Sequence, residues 1–155
     1  MENFSEYKNI PNKVLYIRTV IEPIVKKTLE ARGDYVKETK RDDDFNGIDF
    51  IVHNTKYHKT SYIDVKSSDE KYKNTNRFSF TTIASNGKSY KDKQTTHMIY
   101  VDFPTNTLIC VKYDKLINFI ETNNLKENIG NKGSKYVWLY KDDMRKIGNI
   151  IPIIN

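Results

Sequence analysis

The stretch GIDFIVHNTKYHKTSYIDVKSS, residues 47–68, constrains the fold more than any other part of the chain. Two β-prone runs flank a polar connection, and in each of them apolar residues recur at every second position. That period of two is the signature of a strand with one face in a core. Ile48, Phe50, Val52, Ile63 and Val65 fall on one face; Asp49, Asp64 and Lys66 fall on the other. An antiparallel hairpin centred on Lys56 and Tyr57 sets Asp49 directly opposite Asp64, with Cα atoms about 4.5–5.5 Å apart. Lys66, two residues beyond Asp64, shares their face. These charges are either a solvated strand face with a cross-strand ion pair, or a site.

Around the hairpin the sequence alternates clear helix and strand signals. Pro11 fits the first turn of a helix running to about Arg32, with Gly33 as its stop and Pro23 marking a kink or two abutting segments. A short strand near Tyr35–Thr39 precedes the acidic turn containing Asp42, Asp43 and Asp44, which reads as solvated. After the hairpin come strands RFSFTTI, HMIYVDF and TLICVKY, a helix N-capped by Asp114, a loop NIGNKGSK, a strand YVWLY and a short helix DDMRKIG. This order predicts an α/β (α+β) chain, a mixed sheet flanked by helices, as a single domain over residues 1–155. No linker rich in Pro, Gly or Ser divides it, and at 37% hydrophobic and 30% charged residues it can fill a core.

The absence of a long apolar run and of a signal-peptide core predicts an intracellular protein, cytoplasmic in a bacterium or archaeon or encoded by a phage, with no membrane span. Cys110 is the only cysteine, which excludes an internal disulfide and a cysteine-rich zinc site. His53 and His58 flank a turn without two further soft ligands nearby, so zinc is not expected. NIGNKGSK lacks the spacing of a phosphate-binding loop.

Two carboxylates this close repel unless a cation is bound or one of them is protonated. Oxygen ligands with room for water suit Mg²⁺ or Mn²⁺, which commonly engages one or two carboxylates together with substrate phosphates. A lysine beside such an ion can position or deprotonate a water. The constellation therefore points to metal-assisted phosphodiester hydrolysis.

Asp49, a hairpin, then Asp64-Val65-Lys66, following a helix and Gly33, resembles the PD-(D/E)XK nuclease superfamily of restriction-endonuclease-like enzymes. The resemblance covers roughly residues 12–120 and implies a central mixed sheet flanked by helices. It also implies a metal held by Asp49, Asp64 and the Val65 backbone carbonyl, with Lys66 as the water-positioning lysine. A helix glutamate often completes such sites; Glu22 is the candidate, and Glu30, nearer the helix end, is the competitor. The first motif lacks the proline before its acid. RFSFTTI reads as a strand where small resolvases of the superfamily carry a helix, so a subfamily does not follow. A Holliday-junction resolvase or a phage-type repair and recombination endonuclease is the nearest kind, with a homodimer expected because a junction presents two strands to cut.

The net charge of +6 suits a polyanion such as DNA. SSDEKYKNTNR and NGKSYKDK interleave lysine with tyrosine and asparagine. In them Lys71, Lys73, Arg77, Lys88, Lys91 and Lys93 are candidate phosphate contacts, and Ser67 a weaker one. The alternative is a non-catalytic nucleic-acid-binding or protein-interaction module on the same fold.

Overall fold

A computed structural model of the chain describes residues 15–39, 48–66 and 76–154. The expected helix start at Pro11 and the acidic turn at Asp42–Asp44 lie outside them, as do Ser67, Lys71 and Lys73. The first helical segment, already helical at residues 15–16, passes through a π-helical turn, Ile17–Ile21, and continues as α1, Glu22–Ala31. Pro23 sits in the first turn of α1, where its missing N–H costs least, so the expected break becomes a change of helical pitch just before the proline. Gly33, at φ +92°, turns the chain out of the helix as expected.

Strands β1 (Asp34–Glu38), β2 (Phe50–Asn54) and β3 (Lys59–Val65) form an antiparallel meander. The β2–β3 register pairs Phe50 with Ile63 and Asn54 with Lys59, which is the register read from the sequence. The connection does not use an Asn-Gly turn. Asn54 Oδ1 accepts the Tyr57 N–H at 2.9 Å, and His58 takes the left-handed conformation at φ 51°.

Beyond β3 the chain forms β4 (Arg77–Ile83), a 3₁₀ turn at Tyr90–Asp92, β5 (His97–Asp102) and β6 (Thr107–Lys112). Helix α2 (Tyr113–Thr122), the two-residue β7 (Asn128–Ile129), β8 (Lys135–Tyr140), α3 (Lys141–Ile147) and β9 (Asn149–Pro152) complete it. The main sheet has six strands in the order β1-β2-β3-β5-β6-β9, mixed because β3 and β5 run parallel. The expected strand RFSFTTI is present as β4, but it leaves this sheet and pairs with β8 and β7 in a second, three-stranded sheet.

The main sheet has a core on each face. On one, Ile21, Val25 and Leu29 of the first helical segment pack against Phe50, Val52, Ile63, Val65 and Ile99. On the other, Met98, Tyr100, Ile109 and Val111 meet Phe78 and Phe80 of β4, Val137 and Leu139 of β8, and Leu116 of α2. Each such side chain contributes about 1.5–3 kcal/mol by leaving water. Asp114 is not the cap of α2: Lys112 occupies that position, and Asp114 lies in the first turn, where its charge favours the helix end. A buried ion network fastens α3 to the end of β5. Asp102, wholly buried, accepts Lys141 Nζ at 2.9 Å and is also bonded by Arg145 and Thr105. No helix among the described residues is long and apolar enough to cross a membrane.

Candidate active site

The site lies where the hairpin stops being a ladder. At the mouth of β2, Asp49 donates its backbone N–H to the Ile63 carbonyl at 2.7 Å, and its Oδ2 accepts the Val65 N–H at 2.7 Å. Its own carbonyl accepts the Thr39 N–H at 3.2 Å from beside β1. Three strands therefore fix this one residue, and its carboxylate is held against the end of β3.

Asp64, 6% exposed, is paired with Met98 across the parallel β3–β5 ladder, and Lys66 continues that ladder by donating its N–H to the Ile99 carbonyl at 2.9 Å. Lys66 Nζ lies 2.6 Å from Asp64 Oδ2 and 5.0 Å from the centre of the Phe80 ring. Asp64 Oδ2 is closed off from solvent, and its close contact with the Lys66 ammonium compensates its charge. A second cation, Lys93, stands 4.0 Å from the same oxygen, delivered by the chain that leaves the Tyr90–Asp92 turn. Burial, and then the charge of Lys66, pull the Lys93 pKa down, while Asp64 and Asp49 oppose the shift.

The acids strain one another. Burial pushes the Asp49 carboxyl from 3.8 up to about 8; the charge of Asp64 and, less strongly, that of Glu22 add to the rise, and the Val65 N–H works against it. Phe80, Tyr90 and Tyr113 wall the pocket behind Lys66, with the Phe80 ring edge-on to Tyr90 at 5.7 Å and tilted to Tyr113 at 6.2 Å. The Tyr113 hydroxyl is buried without a hydrogen-bond partner among the described residues; burial, then the charge of Asp64, raises its pKa.

These features suit a divalent cation. Two carboxyls stand side by side, one of them with its pKa raised by burial and by the charge of the other, and a small hard ion would relieve that repulsion. Asp49 and Asp64 are the acids that would hold it. Among the described residues no group of three His, Cys, Asp or Glu side chains is close enough to bind a metal, so Glu22 reaches Asp49 by its field rather than as a third member of a ligand cluster. Glu30 is exposed near the end of α1.

The other sequence candidates separate. Lys93 belongs in the pocket rather than on an outer surface. Lys91 is exposed and paired with Glu121, and Lys88 is exposed in the preceding turn. Arg77 lies on the outer face of the second sheet, its guanidinium 4.0 Å over the Trp138 ring. Neither the place of Lys93 in the pocket nor the aromatic wall was legible in the sequence. They depend on the parallel pairing of β3 with β5, which joins segments more than 30 residues apart.

No protein-family model matches the sequence, and no curated protein does. In fold the chain is similar to the solved structure of D212, a nuclease from a fusselovirus. The TM-score is 0.50, with 15% identity, over 86% of this chain and 85% of that chain. At that identity the likeness concerns the fold.

Proposed function

We propose that this chain is a metal-dependent nuclease of the PD-(D/E)XK type that hydrolyses phosphodiester bonds in DNA. The observation that carries the proposal is the convergence of Asp49, Asp64 and Lys66 at adjoining strand ends, with Asp64 buried and ion-paired to Lys66. The shared fold with a viral nuclease supports it.

In this reading Asp49, Asp64 and the Val65 carbonyl hold Mg²⁺ or Mn²⁺, and Glu22 biases Asp49 through its charge. The bound ion supplies Lewis-acid stabilisation of the charge that develops on the scissile phosphate. Lys66, held in place by Asp64 and the Phe80 ring, would orient the attacking water through its ammonium, and the water's proton would leave to solvent. Lys93, beside it, faces a phosphate oxygen and offsets charge in the transition state. Structure-selective cleavage by a homodimer, of the kind a Holliday junction or a repair intermediate requires, is the finer form of the proposal.

The test is a panel of branched, linear and single-stranded DNA incubated with Mg²⁺, with Mn²⁺ or with EDTA. Cleavage that needs the metal is expected on at least one substrate. No cleavage of any of them would overturn the proposal, and DNA binding without cleavage would favour the non-catalytic module.

A further inference from the structure

The second sheet turns its apolar side, Phe78, Phe80, Val137 and Leu139, into the core, yet its other side is aromatic too. The register sets Arg77 opposite Tyr140, Ser79 opposite Trp138 and Thr81 opposite Tyr136, so three aromatic residues in succession on β8 share the outer face. None of the three is buried, and Tyr140 is 43% exposed. Packing alone does not call for this row, because the inward residues already fill the core.

The row borders a concavity of about 490 Å³, lined by Ser79, Thr81, Ile129, Asn131, Tyr136 and Trp138 among others. The Tyr136 and Trp138 rings meet at 89° with centroids 5.5 Å apart, making a corner of two aromatic walls. Hydroxyls of Ser79 and Thr81 and the amide of Asn131 supply donors and acceptors beside those walls. Among the described residues no carboxylate lines the space. Arg77 lies over the indole at 4.0 Å, and Lys132 belongs to the turn that supplies Asn131. Glu127, just before β7, is paired with Lys135 at 3.9 Å.

We propose that this outer face binds single-stranded nucleic acid, seating an unpaired base in the corner of Tyr136 and Trp138 with its phosphate toward Arg77. Flat rings for stacking, short polar side chains for base edges and a cationic rim are what a single strand requires, whereas a duplex keeps its base faces covered. The choice of occupant rests on the nuclease reading. The surface itself lies on the opposite side of the second sheet from Phe80 and Lys66, so it is a second contact and not part of the pocket.

Trp138 is the only tryptophan, so its fluorescence reports on this corner alone. In EDTA, which prevents metal-dependent cleavage, the protein is titrated with oligothymidylate, oligouridylate, a blunt duplex and polyphosphate. Single strands are expected to quench Trp138 and the other two are not; the first pair decides between DNA and RNA as the source. Tyr136→Ala is expected to weaken that binding about tenfold. Tyr136→Phe, which keeps the ring, is expected to restore it, and Ser79→Glu, an exposed change that leaves the core intact, to weaken it. The absence of quenching by single strands, equal quenching by polyphosphate, or indifference to both Tyr136→Ala and Ser79→Glu would overturn the proposal. Cleavage of duplex DNA in Mg²⁺ by the same variants is read separately. In the unmodified protein, cleavage without any quenching by single strands would overturn this surface only, and base-dependent quenching without any cleavage would overturn the nuclease reading only.

Discussion

Asp49 concentrates the chemistry of the site in one carboxyl. Its folded pKa, near 8, stands well above the 3.8 of an exposed aspartate because it is buried beside Asp64. Between those values the folded chain holds a proton that the unfolded chain has released, so stability without metal falls as pH rises from about 4 to about 8. Asp49→Asn, which mimics the protonated form, is expected to flatten that slope in thermal melts and to gain about 1 kcal/mol or more at pH 8. The same substitution should abolish divalent-ion binding. In the unmodified protein, ion binding should release one proton per ion below pH 8 and none well above it, measured by calorimetry in buffers of different ionisation enthalpy. Lys66→Met keeps an aliphatic stem over Phe80 and removes the ammonium; turnover should fall about 10²–10⁴-fold with the far-UV spectrum unchanged. The residue pattern Asp49, Asp64, Lys66 was readable because strand periodicity and one turn centre fix which side chains share a face. Lys93 was not, since its approach to Asp64 is made by a loop.

Elements depend on partners chosen at long range, and there the sequence was less informative. The β2–β3 register was legible from alternation alone, although the turn achieves it through Asn54 and a left-handed His58 instead of Asn-Gly. The second sheet was not legible: nothing local tells RFSFTTI to pair with YVWLY rather than with HMIYVDF. β9 was missed because it is a four-residue edge strand ended by Pro152 and paired with β6. The attachment of α3 rests on Asp102. Burial alone would raise its pKa, but hydrogen bonds from Thr105 and Lys141, with Arg145, outweigh burial and hold it below the ordinary carboxylate range. A depressed folded pKa contributes stability above about pH 4 that is lost as pH falls through the folded value. Lys141→Met leaves that charge buried with less compensation and should cost about 3–5 kcal/mol in urea unfolding at neutral pH. The loss should shrink in acid as Asp102 takes up a proton.

At the scale of the molecule, one main sheet carries two cores, and the hairpin end carries Asp49, Asp64 and Lys66. The net charge of +6 makes nucleic-acid affinity a salt-dependent quantity, and binding should weaken steeply between 50 and 200 mM salt, by about tenfold or more for a few phosphate contacts. The most direct measurement is single-turnover cleavage by Asp64→Ala, with enzyme in excess over DNA in Mg²⁺ and binding followed in parallel by anisotropy. The expected result is DNA affinity within a fewfold of the unmodified protein and a cleavage rate lower by about a thousandfold or more. Cleavage at an undiminished rate by Asp64→Ala would contradict the assignment of the site and, with it, the mechanism.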